Sequence, residues 1–151
     1  MKLRGARLVQ LQKATEYAIR ILHYLHSDSC RGDIPTAQTI SQAVCTTYPH
    51  AVQIIARLRK NGLITSVKGR NGGYGLARSG HKISIYDVVL AMEGEPEISY
   101  CLGVKRQYNR KSENCDMQDY FKGVKRELTG VLSGKYIADF GTIWNQDEAT
   151  A

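Results

Sequence analysis

The chain has 151 residues, 42% hydrophobic and 23% charged, enough for one domain with a core of its own. No apolar run approaches the ~18 residues of a membrane span, and the N-terminus MKLRGARLVQ has no apolar signal core, so a soluble, cytoplasmic protein without membrane contact is expected. The net charge of +7 favours an anionic partner, and Cys30, Cys45, Cys101 and Cys115 fit neither a disulfide framework nor the spacing of a CxxC metal site.

Residues 1–9 are basic and expected to fray. From Gln10 to about Ser27 the residues Leu11, Ala14, Ala18, Ile21, Leu22 and Leu25 recur at helical spacing and predict a first helix. A polar loop leads to Pro35 and a short helix over Thr36–Ala43, with Ala37, Ile40 and Ala43 on one side. Proline suits a first turn because its missing N–H has no partner there. Cys45-Thr46 is the turn that follows, with Cys45 expected as a small core residue. Thr47 is the expected N-cap of the next helix, which Tyr48 and Pro49 open and which runs to Lys60. Its buried side is expected at Val52, Ile55 and Leu58 or their neighbours, and Asn61-Gly62 stops it. Two helices joined by a short turn, the second capped and basic, make a helix-turn-helix.

Leu63–Val67 reads as a strand with Leu63, Thr65 and Val67 on one face; Lys68–Gly73 is a turn, and Tyr74–Ala77 returns as a β-hairpin. A glycine-rich loop can instead cradle a nucleotide phosphate, but such loops run from a strand into a helix, and here a strand follows. Ser84 caps a helix over Ile85–Met92, which Gly94-Glu95-Pro96 ends. The polar segment Glu95–Asn114 is bracketed by Cys101 and Cys115, and a structureless stretch of that length usually carries function. The last helix, Asp116 to about Leu132, carries Met117, Tyr120, Phe121, Val124, Leu128 and Val131 on one stripe. That is more apolar surface than a small domain needs for its own core, and it predicts dimerisation. The expected fold is mainly α with a small β-hairpin wing (α+β). Residues 1–94 would form a winged helix-turn-helix domain, 95–115 a cysteine-bearing sensor loop, 116–142 a dimerisation helix and its tail, and 143–151 a flexible end.

Charge placement says what the hairpin and its helix face. From Ile34 to Tyr86 there is no Asp or Glu, while Arg57, Arg59, Lys60, Lys68, Arg70, Arg78 and Lys82 are all basic. The rest of the chain balances at 14 basic and 14 acidic residues. The whole excess therefore lies where phosphate contact is expected. Gln53 suits adenine, and Arg57 suits guanine or phosphate; Thr46 and Thr47 suit phosphates at the helix start. The expected DNA-facing set is Thr46, Thr47, Tyr48, His50, Gln53, Arg57 and Arg59, followed on the wing by Lys68, Arg70, Asn71, Gly72, Gly73 and Tyr74. The plain alternative is a solvated basic face. An enzyme is not expected, for there is no carboxylate pair with a histidine, no nucleophile elbow and no nucleotide loop.

Several stretches carry a specific pattern: Gln10-Leu11 with Thr15-Glu16-Tyr17-Ala18-Ile19-Arg20, Leu58–Ile64, Val67–Tyr74 with Leu76-Ala77, and Ile83-Ser84 leading to Asp87-Val88-Val89 and Met92-Glu93-Gly94. Over about residues 10–142 the chain resembles the Rrf-two type family of winged helix-turn-helix transcriptional regulators, which includes IscR and NsrR. The resemblance implies a homodimer on a dyad-symmetric operator of double-stranded DNA, with recognition helices in successive major grooves and wings against the minor grooves.

It further implies an iron–sulfur cluster on three cysteines ahead of the long helix. Cys101 and Cys115 match the outer two positions, but the middle one falls at Tyr108-Asn109, which offers no thiol. Some members add a carboxylate from the first helix of the partner subunit, and Glu16 stands at that place. The histidine of one relative is here Arg20, which stays protonated and cannot ligate; His23, on the same helical face as Glu16, is a candidate substitute. The expected cofactor is a 2Fe–2S cluster on Cys101, Cys115, Glu16 and His23 that senses redox, iron–sulfur or nitric oxide status. Three other readings stay open: a Cys101/Cys115 dithiol switch, which needs only two thiols, a protein partner as the signal, and cysteines with no redox role.

Overall fold

The first helix, α1 (Lys13–Asp28), is held at its start by a distant residue. The Gln12 amide and the buried Thr15 hydroxyl both donate to Glu93 Oε1, at 2.8 and 2.5 Å. A carboxylate at a helix N-terminus meets unpaired N–H groups and the positive end of the dipole. The computed structural model describes residues 11–28, 32, 34–98 and 115–141. The expected frayed start, the polar-loop Cys30, Cys101 with most of the sensor loop, and the final tail lie outside them.

Along α1, Ala18, Ile21, Leu22 and Leu25 are all at most 2% exposed, as their helical spacing predicts. Next come α2 (Ala37–Ala43), capped by the Thr36 hydroxyl, and α3 (Tyr48–Lys60). Both helices end in the same way. After α3, Gly62 N donates to Arg59 O and Leu63 N to Leu58 O, each at 3.0 Å, with Gly62 at φ +73°. After α2, Cys45 N donates to Gln42 O and Thr46 N to Ser41 O, at 3.2 and 3.0 Å. These are paired Schellman closures, which place the residue just past the helix in the left-handed region. At Gly62 that conformation is free of Cβ strain. Cys45 adopts it at φ 55°, at a cost of roughly 1–2 kcal/mol for an L-residue. Cys45 is also exposed, which corrects its expected core position: a side chain at this closure projects out of the turn.

Strands β1 (Ile64–Val67) and β2 (Gly73–Leu76) pair antiparallel, Ile64 with Leu76 and Val67 with Gly73. The expected single face of Leu63, Thr65 and Val67 is not the inward one. Leu63 and Ile64 are each 2% exposed, whereas Val67 is 47% exposed, because the chain turns into the strand only after Leu63. The wing is docked through Tyr74 N, which donates to Pro35 O at 2.9 Å. A Cβ on Gly73 would collide with the Ile34-Pro35 backbone, so only glycine permits this approach.

After a short 3₁₀ turn comes α4 (Ile85–Glu93), closed at its start by a reciprocal capping box between Ser84 and Asp87. Helix α5 (Asp116–Ser133) follows. The chain then turns back: Ile85 N donates to Lys135 O, Ile137 N donates to Ile83 O, and Ile137 is fully buried. The segment after the long helix is thus a ply of the winged domain, a docking that a short stretch without periodicity did not announce.

Candidate nucleic-acid interface

Helix α3 buries Ala51, Ile54, Ile55 and Leu58, which fixes the face it turns outward. Val52 is 36% exposed, not buried as the sequence suggested. An apolar side of Ala51, Ile54, Ile55 and Leu58 needs no residue 52, which is rotated about 100° from residue 51. The outward positions are Tyr48, Pro49, Val52, Gln53, Ala56, Arg57, Arg59 and Lys60.

The expected contact residues divide into groups. Gln53, Arg57, Lys68, Arg70 and Asn71 are exposed, as are Thr47 and Tyr48. Thr47 occupies the N-cap position but makes no side-chain capping bond, so its hydroxyl is not committed to the helix end. Arg59 leans toward the wing, Nη1 donating to Ser66 Oγ at 3.4 Å. His50 is half-buried and held on two sides. Its Nδ1 lies 2.8 Å from Thr46 Oγ1, and its ring meets Tyr17 edge to face at 5.3 Å. The Tyr17 hydroxyl reaches the Cys45 carbonyl at 3.5 Å, so α1 braces both the turn and the first turn of α3. Gly73 is buried and Tyr74 half-buried, so these two hold the wing against the body.

Electrostatically the region is one-sided. Of the seven cations between Ile34 and Tyr86, Arg78 pairs with Asp87 at 3.0 Å. Arg57, Arg59, Lys60, Lys68, Arg70 and Lys82 are exposed and enter no ion pair among the described residues. The first turn of α3 contains no acid, leaving its dipole uncompensated. The arrangement is a cationic helix beside a cationic hairpin, suited to a groove with phosphates on both sides.

The expected cluster ligands do not converge within the described part of one chain. No three His, Cys, Asp or Glu side chains there come together. Cys115 is a free thiol, half-buried, at the N-cap of α5. Glu16 is exposed in the first turn of α1. His23 is 9% exposed, with Nε2 3.1 Å from Phe140 O. The returning C-terminal segment covers it, so Glu16 and His23 share a helical face but not an environment. No helix among the described residues is long and apolar enough to cross a membrane.

The comparisons with known proteins bear on the family and the fold. The family profile of Rrf2, described as an iron-dependent transcriptional regulator, matches residues 11–142. The HTH-type transcriptional regulator NsrR of Shouchella clausii is 31% identical over 149 residues, covering 95% of this chain and 94% of that protein. Among solved structures, T. potens IscR superposes with a TM-score of 0.66 at 25% identity, covering 89% of this chain and 88% of that one. CymR, the global cysteine regulator of B. subtilis, shares the fold at a TM-score of 0.69 and 19% identity, over 87% of this chain and 95% of its own.

Proposed function

Because the chain belongs to the Rrf2 family of transcriptional regulators, of the IscR/NsrR type, we propose that it binds a dyad-symmetric operator as a homodimer and that the segment bearing Cys101 and Cys115 sets its affinity. The two α5 stripes would form the dimer contact, and the α3 helices would enter successive major grooves. Operator half-sites lie a fixed turn or so of DNA apart, so a small change in the spacing of two recognition helices costs much affinity.

The observation that carries the switch is the place of Cys115, at the N-cap of the helix whose apolar stripe is exposed. A change at that sulfur acts on α5 at its N-cap, directly ahead of Asp116. Cys101 and Cys115, with Glu16 of the opposite subunit, would supply three of the four protein donors that a 2Fe–2S cluster takes, thiolates being its usual ligands. When bound, that cluster would supply the redox- and nitric-oxide-sensitive centre. His23 would take part through Nδ1, since its Nε2 is held by the Phe140 carbonyl.

Protein purified without oxygen should absorb in the visible region, and Cys101→Ala and Cys115→Ala should each abolish those bands. Iron-free protein after anaerobic reconstitution would favour a second reading, which the missing middle thiol supports. There the two thiols pass two electrons and two protons to a peroxide or disulfide oxidant and close a disulfide, detectable by mass spectrometry. Operator binding should weaken steeply with salt, by a slope of about −0.9 per phosphate neutralised, and salt-independent binding would sink the DNA reading itself.

A further inference from the structure

We propose that Val52 and Ala56 form an apolar edge that reads thymine methyl groups in the operator. The inference rests on the DNA-binding reading above and extends it to base specificity.

The recognition helix exposes apolar side chains in a row. Tyr48 is 50% exposed, Val52 36%, and Ala56 is exposed as well. Spaced four apart, they line one side of the outward face of α3. Single exposed apolar residues are ordinary on any surface; here the surroundings give the row its meaning. Gln53 and Arg57 stand on one side, and Arg59 and Lys60 lie toward its C-terminal end, all exposed. No carboxylate occurs anywhere between Ile34 and Tyr86. A strip bordered by unpaired cations is matched by a surface that is anionic at its margins and locally apolar within. The major groove of B-DNA is such a surface, and the thymine C5-methyl is the apolar group it presents.

The neighbouring Gln53 sharpens the chemistry. Its side-chain amide can pair with the N6 and N7 of adenine, and Val52 adjoins it in sequence and along the outward face. A glutamine reading adenine beside a valine touching a methyl selects A·T pairs at adjacent steps. Arg57, Arg59 and Lys60 are then available for the flanking phosphates, which carry no sequence information.

The test begins by selecting a preferred half-site from a random duplex pool with the full chain. Each thymine of that site is then replaced singly by uracil, which removes only the methyl. At the base pair under Val52, wild-type protein should bind the uracil duplex about fourfold more weakly per methyl lost from contact, the factor for one buried methyl-sized group. Val52→Ala should weaken binding to the thymine duplex by a similar factor and lose the thymine–uracil difference. Val52→Thr, which keeps a methyl, should retain part of it. Because the site is exposed and alanine favours helix, folding should be unaffected. Arg70→Ala, by contrast, should weaken both duplexes alike. A thymine–uracil difference that persists in Val52→Ala, or no effect of uracil at any position in the wild type, would overturn the proposal while leaving DNA binding intact. An altered oligomeric state in Val52→Ala with unchanged base preference would assign the strip to a protein contact instead. A pool that yields no enriched sequence would overturn the underlying DNA reading along with it.

Discussion

Helices α4 and α5 are both amphipathic, but they meet different fates. In nine residues α4 buries Ile85, Val88, Val89, Ala91 and Met92; in eighteen, α5 buries none. Tyr120 and Val131 on its stripe stand 68% and 72% exposed, and Met117 53%. The stripe Phe121, Val124 and Leu128 is only half-covered by the chain itself. A contiguous apolar face of that length is unfavourable in water. One helix is finished within the chain, and the other needs a second surface. The α4 side is therefore where the chain builds its own stability, and the α5 side is where the proposed dimer would link stability to assembly.

The largest expected effect is on α4. Met92 is 3% exposed, and Met92→Ala should cost about 2–5 kcal/mol in denaturant unfolding. If that loss reflects the core of one chain, it should appear even in protein dilute enough to be monomeric. A loss confined to concentrated protein would break the contrast. On α5, Val131→Glu places a charge on the exposed stripe. It should leave the unfolding of the monomer almost unchanged yet separate the dimer in sedimentation and weaken operator binding tenfold or more, about 1.4 kcal/mol. An unchanged sedimentation coefficient would mean that α5 is not the dimer contact.

The same contrast explains what the sequence could disclose. Periodicity identified α1, α3, α4 and α5, because a 3.6-residue apolar repeat is local, and caps such as Ser84 and Gly62 fixed their ends. The acid-free window and the wing glycines made the proposed DNA-facing region legible for the same reason: charge and turn chemistry are written in neighbouring residues. Long-range closures were not. Glu93 looks like any exposed helical acid until its contact with Thr15 is seen, and Ile137 and Phe140 in GKYIADFG are too few to show a period. The buried face of α3 is not legible at Val52, since Val52 and Ile54 are both apolar and only packing against the rest of the core decides between them. Cys45 was misjudged because cysteine is rare in the left-handed closure where glycine is usual. His23 looks like an available ligand and His50 like a reader in sequence, but Phe140 holds one ring nitrogen of the first, and Thr46 and Tyr17 hold the ring of the second.

The seam between α4 and α5 gives the smallest effects and the finest test of the contrast. Tyr86 donates to Glu95 at 3.1 Å, and Lys125 of α5 pairs with the same carboxylate at 3.4 Å. Burial, and then the hydrogen bond and charge of Glu95, raise the Tyr86 phenol above its ordinary value of 10.0, with Thr129 of α5 opposing. A phenol that ionises later in the folded state than in the unfolded one stabilises the fold below pH 10, and the contribution is lost as pH rises through its folded value. Wild-type protein should therefore lose stability in the alkaline range beyond pH 10, and Tyr86→Phe should flatten that loss in urea titrations at stepped pH. The ion pair is partly solvated, Lys125 at 31% and Glu95 at 59% side-chain exposure, so Lys125→Met should change stability by less than about 1 kcal/mol. A larger cost would mean that α5 is anchored to its own chain at this point, and that the helix is less dependent on a partner than its bare stripe implies.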